Sequence, residues 1–360
     1  MRYYAQEKRV VPHIIPELKR EINILQDALA FIKTYRLIKA MQPDIVHTHT
    51  AKAGFLGRTA ALLFRAITGK HVLCIHTFHG HVFEGYFNKT IARFFLLIEI
   101  FLARVTAAIV TVSDSVKEEL CALRIAPREK IFVIPLGLEL DRFLTINNEQ
   151  KFKERAFRIG IIGRLVPVKN HRMFLKAASR LIHHNPGIPL EFMVIGDGQL
   201  RSELERYAFE LGLKNQVLFM GWQKDLALLL ADLDIVALTS INEGTPVSLI
   251  EAMAAARAVV STEVGGVADV LGVLNKTIAQ NYTLFNIRSR GITVKPNDHE
   301  SLAAAFLYLI KNEAVRKKMG QEGRAFVKDG FSKNRLVKDM VCFYEKLLSK
   351  NKKSNAKFVI

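Results

Sequence analysis

The sequence predicts an α/β protein made of two doubly wound halves, each with its own mainly parallel sheet. Three observations carry this. Short apolar runs rich in β-branched residues alternate with longer helical patterns along most of the chain. A polar, charged stretch at residues 137–156 reads as a linker, and the alternation restarts after it. The chain has 360 residues, half of them hydrophobic, which suits about two domains with sizeable cores. The expected division is a first domain over residues 1–150, a second over 151–334, and a final helix with a basic tail over 335–360.

In the first half, DIVHTHT (44–50) reads as a buried strand and AGFLGRTAALLFRAI (53–67) as the helix after it. HVLCIHTF (71–78) is the next strand, followed by a long helix near 88–104. AAIVTVS (107–113) is a strand, DSVKEELCAL a helix capped by Ser113 or Asp114, and KIFVIPLG (130–137) a strand. In the second half, FRIGIIGRL, LEFMVIGDG, QVLFMG, DIVALTS and AVVST are strands with helices between them. RLVKDMVCFYEKLLS (335–349) is a last amphipathic helix, and KNKKSNAK reads as a frayed end. Strands alternating with helices imply parallel sheets covered on both faces. Ligands of such sheets bind beyond the carboxyl ends of the strands, so the chemistry belongs in the loops that follow them. Two sheets facing each other would make a cleft between the domains.

The net charge is +18, and it lies at the two ends: 20 Lys/Arg against 14 Asp/Glu in residues 1–150, 14 against 13 in 151–272, and 18 against 7 in 273–360. A basic excess suits an anionic partner, such as phosphorylated substrates or an acidic membrane surface, or serves solubility alone. No DNA- or RNA-binding signature accompanies it, so no nucleic acid partner is expected. Cys74, Cys121 and Cys342 are far apart, form neither a disulfide framework nor a zinc spacing, and fit a reducing cytosol. The start has no apolar signal segment. The most apolar stretch, residues 92–113, is interrupted by Arg93, Glu99 and Arg104, so it reads as a buried helix leading into a strand, or as a helix lying on a membrane surface.

Three constellations stand at strand ends. In IGIIGRLVPVKNH, Gly163 lets backbone approach a ligand, and Arg164 and Lys169 could clamp a diphosphate; two surface cations before a helix are the plain alternative. In VIGDGQLRSEL, Gly196-Asp197-Gly198 is a tight strand-to-helix turn with Asp197 as a cap, not a dinucleotide fingerprint. In INEGTPVSLIEAM, Thr245 is a candidate N-cap and Pro246 a first helical residue. The helix start suits phosphate, and Glu243 and Glu251 suit the vicinal diols of a ribose or a hexose. The alternative is a capped helix with two incidental glutamates. Asp232-Leu-Asp234 could be taken for a manganese-binding pair but leads into a buried strand, which makes it structural.

The loop glutamate, seven residues and then a helix glutamate resemble the signature of the family 4 retaining glycosyltransferases of the GT-B fold. The likeness extends to GRLVPVKN, VIGDGQLRSEL, VLFMGW, the run from ADLDIV to GGVADVL, and GITVKPNDHESLAAAF. PDIVHTHTAKAGFLGRTAA and HTFHGHVFEGYF resemble members acting on lipid-linked or surface-polysaccharide acceptors. The resemblance implies an α/β GT-B fold of two doubly wound Rossmann-like domains. It implies transfer of a hexose or N-acetylhexosamine from a nucleoside diphosphate sugar, UDP foremost, at the inner face of the plasma membrane. Arg164 and Lys169 would hold the diphosphate and stabilise the leaving nucleotide, with no metal required. Glu251 would bind the ribose and Glu243 the donor sugar. Backbone at Gly244, Thr245, Pro246 and Val247 would touch sugar and phosphates, and Gly221 and Trp222 would lie near the base. His79 would stand near the reacting sugar, and His47, His49, Lys52 and His81 on the acceptor side. His76 belongs to the same histidine group. The final helix would return to the first domain.

The sequence departs from the family pattern at its start. Members open with a strand, a Gly-Gly loop and a helix, so roughly 60 residues of pattern are missing here, which would leave sheet edges open and the first domain incomplete. Two other readings follow: an inactive sugar-nucleotide-binding remnant or partner subunit, and a nucleotide-sugar epimerase of the same fold.

Overall fold

The computed structural model describes residues 11–19, 21–80, 89–146, 155–280 and 282–355. The chain forms two compact units: Met1–Thr111 with Lys117–Val133, and Val112–Val116 with Ile134–Ile360.

In the first unit, α1 (Ile24–Met41) precedes an alternation of β1 (Ile45–His49), α2 (Ala51–Thr68), β2 (Leu73–Phe78), α3 (Lys89–Val105), β3 (Ala108–Thr111), α4 (Asp114–Ala122) and β4 (Ile131–Val133). The strands make a parallel sheet in the order β1-β2-β3-β4. The Asn23 side chain caps α1, accepting from Gln26 N–H at 3.0 Å; in the segment Val112–Val116, grouped with the second unit, Ser113 accepts from Val116 N–H at 3.3 Å. Ile38 of α1, Ala60, Ala61 and Phe64 of α2, Val72 before β2 and Cys74 within it form a buried cluster.

A charged pair lies inside this unit. Arg58 of α2 is 0% exposed; its Nη2 donates to both carboxylate oxygens of Glu99 on α3, at 2.9 and 2.7 Å, and its Nε donates to Gly54 O at 2.9 Å. The two helices are thereby pinned through their cores. Burial pushes the Glu99 carboxyl up against the attraction of Arg58. Arg58→Met alone strands Glu99 in the interior, a change expected to cost about 3–5 kcal/mol, whereas Arg58→Met with Glu99→Leu should recover most of it. Urea unfolding followed by circular dichroism checks both; equal losses in the single and double variants would contradict this account of the pair.

The second unit begins with α5 (Asp141–Leu144) and continues through β5 (Phe157–Ile162), α6 (His171–His184), β6 (Leu190–Ile195), α7 (Arg201–Glu210), β7 (Val217–Gly221), α8 (Leu226–Asp232), β8 (Ile235–Leu238), α9 (Val247–Ala254), β9 (Ala258–Thr262), α10 (Val267–Leu271), β10 (Leu274–Gln280), β11 (Thr283–Arg288), β12 (Gly291–Val294), α11 (His299–Lys311), α12 (Glu313–Gly330) and α13 (Lys333–Asn355). Its eight strands run in the order β10-β11-β12-β9-β8-β5-β6-β7, with β10 and β11 antiparallel and the rest parallel from β12 on. β5 pairs with β6 on one side and β8 on the other, so the winding reverses between β5 and β8. That reversal opens the crevice in which such sheets bind ligands. One face is packed by α6 and α11 around Phe174, Phe192 and Phe306, and the other by α9 around Leu249, Ile250 and Met253.

Residues 137–156 are not simply a linker. Leu140 and Phe143, on the α5 turn, are buried in the second unit's core, 3% and 1% exposed. An amphipathic turn inside a charged sequence hides its two anchoring side chains from a composition-based reading. At the other end, α13 starts at Lys333 and runs to Asn355, through residues expected to fray.

Candidate functional site

The loops after β5 and β8 meet at the reversal. Gly163 follows β5, and a 3-10 turn, Pro167–Lys169, leads to Asn170 and α6. Thr239, just past β8, donates its hydroxyl to the carbonyls of Lys169 and Asn170 at 2.9 and 3.0 Å, and Ile241 N–H donates to Val168 O at 2.9 Å. The two loops are therefore stitched together by backbone. Across this seam Lys169 Nζ lies 2.5 Å from Glu243 Oε1, and Ser240 Oγ donates to the same oxygen at 2.5 Å. Both side chains are largely sheltered, 23% and 11% exposed. Arg164 lies on the same loop, with an exposed side chain that pairs with no acid among the described residues.

Glu243 is held from behind by glycines. Gly265 has φ +46° and packs so closely on the Glu243 carbonyl that a Cβ would collide with it; a Cβ on Gly266 would collide with Gly244 O. Gly266 N–H donates to Gly244 O at 3.0 Å, and Thr262 Oγ1 donates to Ser240 O at 2.6 Å. The Gly196-Asp197-Gly198 turn does the same for the other loop: Leu165 N–H donates to Asp197 O at 3.0 Å, and a Cβ on Gly198 would sit 2.6 Å from Leu165 O. Asp197 receives Gly198 N–H at 2.7 Å and pairs with Arg201, so it ties the turn rather than capping the helix.

The start of α9 differs from its expected form. Pro246, with φ −77° and ψ 91°, occupies the N-cap position without a side-chain cap, and Thr245 is buried with its hydroxyl 3.5 Å from Val112 O. Extended backbone at Pro246 delays the first helical residue to Val247. The first amides bonded within the helix, those of Leu249 and Ile250, donate to Pro246 O, so the amides of Val247 and Ser248 lack an intrahelical acceptor at the positive end of the helix dipole. Glu251 is half-buried on α9 with no side-chain hydrogen-bond partner among the described residues. Burial raises its pKa, and Arg142 opposes this. A sheltered carboxylate without donors is poised to gain from a hydroxyl-bearing ligand. Gly221 ends β7 with φ +65°, and Trp222 beside it is 74% exposed.

His171, adjacent to this seam, was not among the residues singled out by sequence. It is 2% exposed, with both ring nitrogens lacking hydrogen-bond partners among the described residues. Burial, aided by Lys169, pushes it down to about 4, so the ring is neutral and leaves Lys169 as the cation of that turn. Thr239, Ser240, Gly265 and Gly266 were also not singled out. Their signal was a polar pair ending one buried strand and a Gly-Gly following another.

Asp232 and Asp234 are structural, as expected. Asp234 is 4% exposed and receives Arg155 Nη1 at 3.0 Å and Arg158 N–H at 2.8 Å, while Asp232 pairs with Arg158. Among the described residues, no three His, Cys, Asp or Glu side chains are arranged to hold a metal ion.

In the first unit, the histidines gather at the carboxyl ends of β1 and β2. His49 Nδ1 is 2.9 Å from His79 Nε2, one ring donating to the other, and His47 Nε2 is 2.7 Å from Thr77 Oγ1. The rings of His47 and His49 stack at 4.5 Å, and those of His49 and His79 at 5.2 Å. His76 is buried, with Nδ1 2.8 Å from Thr48 Oγ1. Lys52 is tied to the segment before α1: its ammonium donates to Lys19 O at 2.9 Å and to Glu21 O and pairs with Asp27. This partly buried ammonium therefore holds the first unit's opening turn. His81 lies outside the described residues.

Burial first, then the neighbouring His49 and His79, push His47 down to about 4, and burial lowers His49 and His79 as well. These folded values lie below the unfolded one, so the unfolded chain takes up protons first as pH falls. The stabilisation is full above about pH 6.5 and is lost as pH drops toward about 4. Thermal unfolding by circular dichroism should show this decline, flatter in His47→Gln than in the parent. Parallel pH profiles in the two proteins would refute the assignment.

Residues 143–326 match the family model for glycosyl transferases group 1, and residues 2–142 match that for glycosyltransferase family 4. The Escherichia coli UDP-Gal:alpha-D-GlcNAc-diphosphoundecaprenol alpha-1,3-galactosyltransferase is 30% identical, over 88% of this chain and 79% of its own. The Staphylococcus aureus capsular polysaccharide biosynthesis glycosyltransferase CapM is 24% identical over 95% and 86%. The Anabaena protein HepE, crystallised with UDP and glucose, has the same fold: TM-score 0.75 over 96% of this chain and 88% of that one, at 18% identity. Two Rossmann-like units, each matched by a glycosyltransferase model, and a relative aligned through both make this chain a family 4 glycosyltransferase of the GT-B fold.

Proposed function

We propose that the chain transfers a hexose or N-acetylhexosamine from a uridine diphosphate sugar to a lipid-linked or cell-surface glycan acceptor, with retention at the anomeric carbon and without a bound metal. The observation that carries this is the Lys169–Glu243 pair, set at the β5/β8 reversal near the open amides of α9. In the transfer, the bond from the sugar's anomeric carbon to the β-phosphate oxygen breaks, one to an acceptor hydroxyl oxygen forms, and the hydroxyl's proton passes to the departing phosphate oxygen. Negative charge grows on the departing diphosphate. Arg164, Lys169 and the amides of Val247 and Ser248 meet that charge; fixed donors of this kind stabilise a leaving anion strongly in a sheltered site. Glu243, freed from Lys169, receives hydroxyls of the donor sugar, and Glu251 those of the ribose. Gly244, Thr245 and Pro246 line sugar and phosphates with backbone, and Trp222, beside Gly221, stacks on the base. In the first unit His79 would serve the reacting sugar, and His47 and His49 the acceptor. Lys52 would stand on the acceptor side while its ammonium holds the α1 turn.

No helix among the described residues is long and apolar enough to cross a membrane. A lipid-linked acceptor, as named for the E. coli relative, would then be met from the membrane surface. The basic ends of the chain suit an anionic inner face.

Calorimetric titration with UDP tests the donor site, and the emission of Trp222, the single tryptophan, reports it independently. Lys169→Ala should weaken UDP by about 10- to 100-fold, the size expected for a lost charge-assisted hydrogen bond. Unchanged affinity would remove Lys169 from the diphosphate. With a UDP-sugar and a lipid-linked acceptor, proton NMR should show the donor's anomeric configuration in the product, at a rate unaffected by chelator. An inverted product, or a rate abolished by EDTA and restored by manganese, would refute the corresponding part. Conversion of the sugar nucleotide without acceptor would instead identify an epimerase.

A further inference from the structure

α3 carries two unlike faces. Inward, Glu99 meets Arg58, with Leu102 and Ala103 buried beside it. Outward, Phe94, Leu97 and Phe101 recur at helical spacing and are 61%, 65% and 57% exposed, with exposed Arg93 and Arg104 toward the two ends of the row. Glu99 is the helix's only acid, and it is turned into the core. The outer face thus combines large apolar side chains with positive charge and no negative charge of its own, the pattern of a helix that lies in a lipid interface. α1 also exposes Leu25, Leu29 and Ile32, but among the Lys33–Glu17 and Lys52–Asp27 ion pairs, so it lacks the single sign of charge that selects an anionic surface.

We propose that the outer face of α3 docks on an anionic lipid bilayer, with Phe94, Leu97 and Phe101 entering the interface and Arg93 and Arg104 meeting lipid phosphates. This rests on the reading of the acceptor as lipid-linked, and it assigns the membrane contact to one helix rather than to the basic tail. The apolar row gives affinity that salt does not screen, and the two arginines give the preference for anionic lipid.

The test is sedimentation of the full chain with vesicles of phosphatidylglycerol and phosphatidylcholine, or of phosphatidylcholine alone. The chain should bind the mixed vesicles and bind the zwitterionic ones at least about tenfold more weakly. Phe94→Ser/Leu97→Ser/Phe101→Ser should lower binding to mixed vesicles about tenfold or more while leaving the UDP titration unchanged. Arg93→Gln/Arg104→Gln should lose most of the preference for anionic lipid. Equal sedimentation of the triple variant and the parent overturns the proposal. So does a parent dimer that becomes monomeric in the triple variant with no change on vesicles, since the face would then join two copies. If the triple variant loses its circular dichroism, Phe101→Trp in a Trp222→Phe background replaces it: a blue shift on mixed vesicles supports docking, and an unshifted emission overturns it. Vesicle binding without transfer to a lipid-linked acceptor keeps the face and removes the acceptor reading. Transfer to a lipid-linked acceptor with no vesicle binding does the reverse.

Discussion

The hydroxyl of Thr239 donates to two successive carbonyls, those of Lys169 and Asn170. The second unit's site depends on this seam. It fixes the end of β8 against the turn that follows β5, where the sheet reverses its winding, and so sets the distance between Lys169 and Glu243. Thr239 and Ser240 are fully buried, so the hydroxyls work where water does not compete. Around the seam, glycines allow backbone to approach backbone: Gly265 and Gly266 behind Glu243, Gly196 and Gly198 behind Gly163 and Leu165. The charged side chains are then presented by loops that neighbouring loops hold still, which is how a site retains its geometry while its ligand comes and goes.

The first unit uses a different device. Its interior carries Arg58 with Glu99 and a neutral His76, all nearly inaccessible to solvent. Such groups contribute little net stability compared with an apolar core of equal volume, but they punish a wrong arrangement severely, because any shift strands a charge. The consequence extends to the surface of α3. With Glu99 oriented inward, the helix cannot turn its apolar row into the core, so Phe94, Leu97 and Phe101 stay outside. At the end of the same sheet, the stacked histidines are kept neutral by burial and by one another. A ring that stays uncharged near neutral pH can donate from one nitrogen and accept at the other.

The fold was legible wherever a strand was buried on both faces, since such strands read as continuous apolar runs: IVAL at β8 and AVVST at β9 are examples. It was illegible where an element lies at an edge. β10, LNKTIAQ, is exposed along nearly all its length and pairs on one side with β11, so its sequence bears no core-facing alternation. The charged stretch before β5 concealed Leu140 and Phe143 because two anchors in a short turn leave no periodicity. For the site, charged residues at strand ends announced themselves, and Lys169 and Glu243 do meet. What sequence could not give was their partnership with each other, or the tethering of Lys52 to the α1 turn. Both are pairings across long chain separations, which residue types alone do not encode. Pro246 was misplaced by one position because a proline that favours a first helical turn also tolerates the extended conformation it adopts here.

The pairing of Lys169 with Glu243 bears on how a donor would enter. Were both groups left unpaired in a sheltered crevice, each would carry its full desolvation penalty, so the pair is the lower-energy resting arrangement. In the proposed function a diphosphate would bring two negative charges near Lys169 and outcompete a single carboxylate for it. Glu243 would then lose its cation but keep the Ser240 hydroxyl, and the hydroxyls of a sugar would supply the further donors. A nucleoside diphosphate without its sugar would free Lys169 while leaving Glu243 underfilled. In the proposed function the arrangement would couple two recognitions at one seam, phosphate by the cation and sugar by the anion, and would favour a ligand that carries both over one that carries either alone.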